Sequence, residues 1–88
     1  MIPETMRYVA ATAAGGPEVL AIGTTAVPQP RPDEVLIRVQ AAGVNRPDVA
    51  QRKGLYPAPP VASPIIGLEV AGEVVALGKG VEGLNTGD

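Results

Sequence analysis

Hydrophobic and polar positions alternate most regularly over residues 34–42. Val35, Ile37, Val39 and Ala41 fall on one face there, and Glu34, Leu36, Arg38 and Gln40 on the other. A period of two with a largely polar outer face predicts a half-buried strand. Residues 6–12 read as an earlier strand, ended by the turn residues Ala13, Ala14, Gly15, Gly16 and Pro17. Residues 18–27 read as a second, carried by Val19, Leu20 and Ile22 and weakened by Gly23. Pro28, Pro30 and Pro32 lack the amide hydrogens a central strand needs, so they predict an extended connector. Residues 68–77 read as an apolar strand with Gly72 in its middle, the mark of a bulge or of a close backbone approach.

Between residues 45 and 53 the period changes. Asn45 is a good N-cap, Pro47 sits in the first turn, and Asp48 follows at capping-box spacing. Gly54 stands where a C′ residue stops a helix. A helix of about two turns follows, held by packing rather than by propensity. The prolines of residues 56–64 predict a stiff loop, and residues 78–88 read as turn material. Gly78, Gly80 and Gly83 match G-x-G-x-x-G after a strand, but no helix opens there to hold a pyrophosphate. The match is read as a Gly-rich turn.

With 88 residues the chain is at most one domain, and its core is aliphatic: Phe and Trp are absent and Tyr8 and Tyr56 are the only aromatics. Eleven Gly, ten Pro and 45% hydrophobic residues suit ordered, turn-rich β structure rather than disorder. The net charge of −2 is interspersed, which argues against a nucleic-acid partner. Cys and His are both absent, which removes disulfides, thiol nucleophiles, Ser-His triads and Cys/His zinc sites. The first residues do not resemble a signal peptide, and no apolar run approaches the ~20 residues that span a bilayer. The expectation is a soluble, cytoplasmic domain without a membrane partner.

Asn45, Arg46, Asp48, Gln51 and Tyr56 form the one dense cluster of hydrogen-bonding side chains, placed where a strand gives way to a helix. Asn and Gln amides both donate and accept, which suits a carboxamide or carbonyl, and Tyr56 offers a flat ring and a hydroxyl. The residues alone also admit a purely structural account, with Asn45 and Asp48 as caps and Arg46 and Gln51 as solvated helix positions. Glu69, set in an apolar run, is expected to pair with an Arg rather than to do acid–base work.

Four motifs in register alter that balance. They are residues 15–20 (GGPEVL), 43–48 (GVNRPD), 51–57 (QRKGLYP) and 67–72 (GLEVAG). Together they resemble the N-terminal part of the zinc-free quinone oxidoreductases, the zeta-crystallin-like branch of the medium-chain dehydrogenase/reductase superfamily. The stretch from Asn45 to Tyr56 is most similar to the tumour-suppressor-inducible quinone oxidoreductase subgroup. The resemblance implies a mainly β fold with one short helix, a GroES-like partial β-barrel that belongs to the catalytic domain. It also implies a Rossmann cofactor domain lying outside these residues, and NADPH as cofactor. In the superfamily's zinc alcohol dehydrogenases a Cys opens the segment matching residues 45–48, and a His stands where this chain has Leu68. The implied enzyme is therefore zinc-free. The residue matching Asn45 lies by the nicotinamide, and the one matching Tyr56 lines the quinone pocket. Gln51 and Asp48 are the further candidates for contact with the acceptor, a quinone or enone.

On this reading residues 1–88 are the N-terminal segment of a GroES-like catalytic domain, the remainder of barrel and cofactor domain being absent. The segment alone is expected to be inactive and marginally stable, and the full-length form to be a homodimer. A zinc-free enoyl reductase is a competing enzyme reading. A free-standing GroES-like binding module and a lens-crystallin-like role are the non-enzymatic ones.

Overall fold

Alternation along β1 (Thr5–Ala11) places Met6, Tyr8 and Ala10 on its less exposed face. The computed structural model, which describes residues 2–59 and 62–88, pairs β1 antiparallel with β2 (Leu20–Ala26). Tyr8 stands opposite Gly23, and its ring covers the glycine: a Cβ there would lie 2.7 Å from Tyr8 Cε1. An aromatic laid over a glycine in the neighbouring strand offsets the weakness that Gly23 brings to β2. The expected second strand begins at Leu20 rather than at Glu18. Pro17–Val19 forms a 3-10 turn instead, because proline's fixed φ suits the first position of a helical turn.

The strand expected over residues 34–42 is β3 (Val35–Ala41), and its partner is β4 (Ala71–Leu77), antiparallel. Val39 pairs with Gly72 and Ala41 with Ala71, leaving Gln40 as the extra residue of a bulge. Gly72 also meets the second expectation for it, since a Cβ there would run into the Arg38 carbonyl oxygen. Arg38 and Glu73 pair across the ladder at 3.0 Å, an exposed contact worth about 1 kcal/mol at most. The predicted buried face of β3 is realised only at its start: Val39 is 52% exposed.

Just before β3, the Arg31 N–H donates to Glu34 Oε1 at 2.9 Å and holds the Glu34 carboxyl below its usual range. A depressed pKa stabilises above the ordinary carboxylate value and is lost as pH falls through the lowered one. This turn therefore keeps its Glu34 contact until the pH falls below the ordinary carboxylate range.

The remaining regular element is α1 (Arg46–Arg52). The architecture is mainly β with one short helix, as expected, in two open two-stranded sheets rather than a closed barrel. Among the described residues Val74 is the one buried hydrophobic side chain. The Gly78–Gly83 stretch is turn, with Gly80 and Gly83 at φ 84°. Of the proline-rich loop expected over residues 56–64, positions 60 and 61 lie outside the described residues. No helix among the described residues is long and apolar enough to cross a membrane.

Candidate functional site

The backbone from Gly43 to Tyr56 follows the pattern of its residues closely. Asn45 is extended, at φ −123° and ψ 162°, and takes the N-cap position of α1 with Asp48 at the capping-box position three residues on. The Asn45 N–H donates to Asp48 Oδ2 at 2.8 Å, and the Asp48 N–H donates to the Asn45 carbonyl at 3.0 Å. At the other end the Gly54 N–H donates to the Gln51 carbonyl at 3.0 Å and the Leu55 N–H to the Ala50 carbonyl at 2.9 Å. With Gly54 at φ 81° these bonds make a Schellman motif, which satisfies carbonyls the helix end leaves open. Gly54→Ala should cost about 1 kcal/mol, read as a lowered urea midpoint, because a Cβ is disfavoured in left-handed backbone.

Three contacts pin α1 to its surroundings. Arg52 Nε donates to the Gly15 carbonyl at 3.1 Å while the Gly15 N–H donates to the Arg52 carbonyl at 3.1 Å, tying the helix to the β1–β2 connection. Gln51 Nε2 donates to the Pro64 carbonyl at 3.0 Å. Asn45 Nδ2 donates to Glu69 Oε1 at 2.6 Å. The helix-holding arginine is thus Arg52, whereas Arg46 is exposed.

Asn45, Asp48 and Glu69 therefore come together at the head of α1. Asp48 is buried, and its Oδ1 has no hydrogen-bond partner among the described residues. A buried carboxylate oxygen without a donor is costly. Gln51 is turned toward Pro64, and Tyr56 lies half-exposed beyond the other end of the helix. One helix length, about 10 Å, separates the Asn45 and Tyr56 ends.

Glu69 departs from expectation on both counts. It precedes β4 instead of lying within a strand, and its partner is the Asn45 amide rather than an arginine. Its apolar neighbours Leu68 and Val70 imitate strand alternation, yet both are exposed. No local sequence pattern announces this approach, which the structure shows at Gly43, where a Cβ would strike the Glu69 carboxylate.

A broad groove of about 950 Å³ opens beside the site. Its lining is mostly apolar, including Met6, Tyr8, Ile65 and Ile66, with Gln51 and Glu69 at its polar side. Asn45 and Tyr56 do not line it.

Residues 31–88, most of the chain and all of the candidate site, match the family described as the alcohol dehydrogenase GroES-like domain. The chain belongs to this family. It is 43% identical over 84 residues to the quinone oxidoreductase of Lama guanicoe, covering 94% of this chain and 26% of that protein. A mycobacterial protein solved in complex with NADPH superposes at a TM-score of 0.81 with 39% identity, over 94% of this chain and 26% of the other. A thermostable alcohol dehydrogenase from Pyrobaculum aerophilum, solved with cobalt and zinc bound, does so at 0.81 with 42% identity, over 96% and 25%. The chain spans about a quarter of the length of the relatives it matches. The partial GroES-like fold expected from the four motifs is thus shown, and the similar structures include one solved with NADPH and one with cobalt and zinc.

Proposed function

We propose that these residues form part of the catalytic domain of a zinc-independent oxidoreductase that transfers hydride from NADPH to a quinone or a similar planar electrophile. The observation that carries the reading is the Asn45 amide, held by Glu69 where β3 gives way to α1, in a chain that has no Cys or His to bind zinc there. The 43% identity to a quinone oxidoreductase supports the same assignment.

The donor set fits a nicotinamide carboxamide. Asn45 Nδ2 spends one hydrogen on Glu69 and keeps a second for a ligand carbonyl. The orphaned Asp48 Oδ1 leaves an acceptor for a further donor, and Val44, highly exposed next to Asn45, offers apolar area for a ring. When bound, the cofactor supplies the hydride; the protein's part is to orient two flat partners and keep water away. Asn45 orients the cofactor's reactive end. Tyr56 presents a half-exposed ring on which a planar acceptor can stack, and its hydroxyl can donate to a quinone oxygen. Gln51, held at Pro64, lines the neighbouring groove and offers a further polar group to the acceptor. No side-chain nucleophile is required.

The test is Tyr56→Ala in a full-length form. Removing the ring should raise KM for the quinone about five- to tenfold while leaving NADPH affinity unchanged. An unchanged quinone KM would remove Tyr56 from the acceptor site.

A further inference from the structure

We propose that Glu69 is a positioning residue that locks the orientation of the Asn45 side-chain amide; the proposal rests on the reading of Asn45 as the cofactor-facing group. An ionised carboxylate only accepts hydrogen bonds, so Glu69 attracts the Nδ2 end of the Asn45 amide and repels the Oδ1 end. Of the two orientations related by a half-turn of the amide, only the one with Nδ2 toward Glu69 Oε1, at 2.6 Å, is favourable. The main chain of Asn45 is already fixed, its N–H on Asp48 Oδ2 and its carbonyl on the Asp48 N–H. Rotation of the side chain is the freedom left, and Glu69 removes it. A ligand carboxamide then meets a donor of fixed direction.

Two further features fit this role. The ion pairs among the described residues are Arg31–Glu34 and Arg38–Glu73, and Glu69 enters neither, so its carboxylate is not committed to a cation there. Gly43 leaves the space the carboxylate needs: a Cβ on Gly43 would stand 2.6 Å from Glu69 Cδ. Because the obstructed group is the far end of a flexible side chain, and Gly43 is not in left-handed backbone, Gly43→Ala should displace Glu69 without unfolding the site. It breaks the pair while leaving both side chains chemically unchanged.

The experiment compares NADPH dissociation constants, by nicotinamide fluorescence titration, for a full-length form and its Glu69→Gln, Gly43→Ala, Asn45→Ala and Asn45→Ala/Glu69→Gln variants. The Asn45 side-chain amide resonances are recorded without cofactor. Glu69→Gln and Gly43→Ala should each weaken binding about three- to fivefold and shift the Asn45 side-chain resonances. Glu69→Gln should add nothing once Asn45 is alanine. An undiminished effect of Glu69→Gln in that background, or unchanged affinity in both single variants while Asn45→Ala weakens binding, overturns the proposal. If Asn45→Ala leaves NADPH affinity unchanged, the cofactor reading itself fails. The resonances then decide the lock separately: shifts in both variants support it, and unmoved resonances overturn it.

Discussion

Gly72→Ala is expected to destabilise the fold by about 3 kcal/mol, the upper part of the range for overpacking a fixed site. The added Cβ meets the Arg38 carbonyl oxygen, a backbone atom that cannot swing aside as a side-chain end can. Arg38 also lies two residues from the bulge at Gln40, so relief would have to come from the register that pairs Val39 with Gly72. Parting β3 from β4 there would expose Val74, the one buried hydrophobic side chain among the described residues. Thermal unfolding of a full-length form should show a clear fall in midpoint. Hydrogen exchange should place the loss of protection in β3 and β4 rather than in β1 and β2. A midpoint within a degree of the parent's would show that the close approach at Gly72 carries no cost.

Substitution of Asn45 should separate two roles that one side chain combines. Asn45→Ala removes the cap residue's side chain and should cost about 1 kcal/mol of stability. It should also weaken NADPH binding about tenfold, the effect of losing one well-made hydrogen bond. Asn45→Ser keeps a good N-cap and the backbone bond to Asp48 Oδ2, but has no Nδ2 to give to Glu69 or to a cofactor. Serine should therefore restore the unfolding midpoint while leaving cofactor affinity as weak as in the alanine variant. Recovery of both together would reduce Asn45 to a helix cap.

Local chemistry was legible in the sequence, and non-local contact was not. The capping box of Asn45 and Asp48 and the stop at Gly54 depend on neighbouring residues, and the structure contains both as read. The period of two in β3 predicted the strand, but not that Val39 would stand half-exposed, because exposure depends on what covers a face. Glu69 was misplaced for a related reason. Leu68 and Val70 supply the right alternation, yet the ladder begins only where Ala71 meets Ala41. Its bond to Asn45, 24 positions away, joins two loops whose approach no local pattern encodes. The glycines divide in the same way. Gly54 is explained by its own φ, whereas Gly43 and Gly72 are explained by Glu69 and Arg38.

The most direct measurement is quinone reduction by NADPH in a full-length form after exhaustive chelation, with zinc quantified in the same sample. Undiminished turnover with less than a tenth of an equivalent of zinc, roughly, is the predicted result on the proposed reading, since the Asn45 position offers an amide and residues 1–88 contain no Cys or His. Activity that disappears with the metal and returns on adding zinc would contradict it.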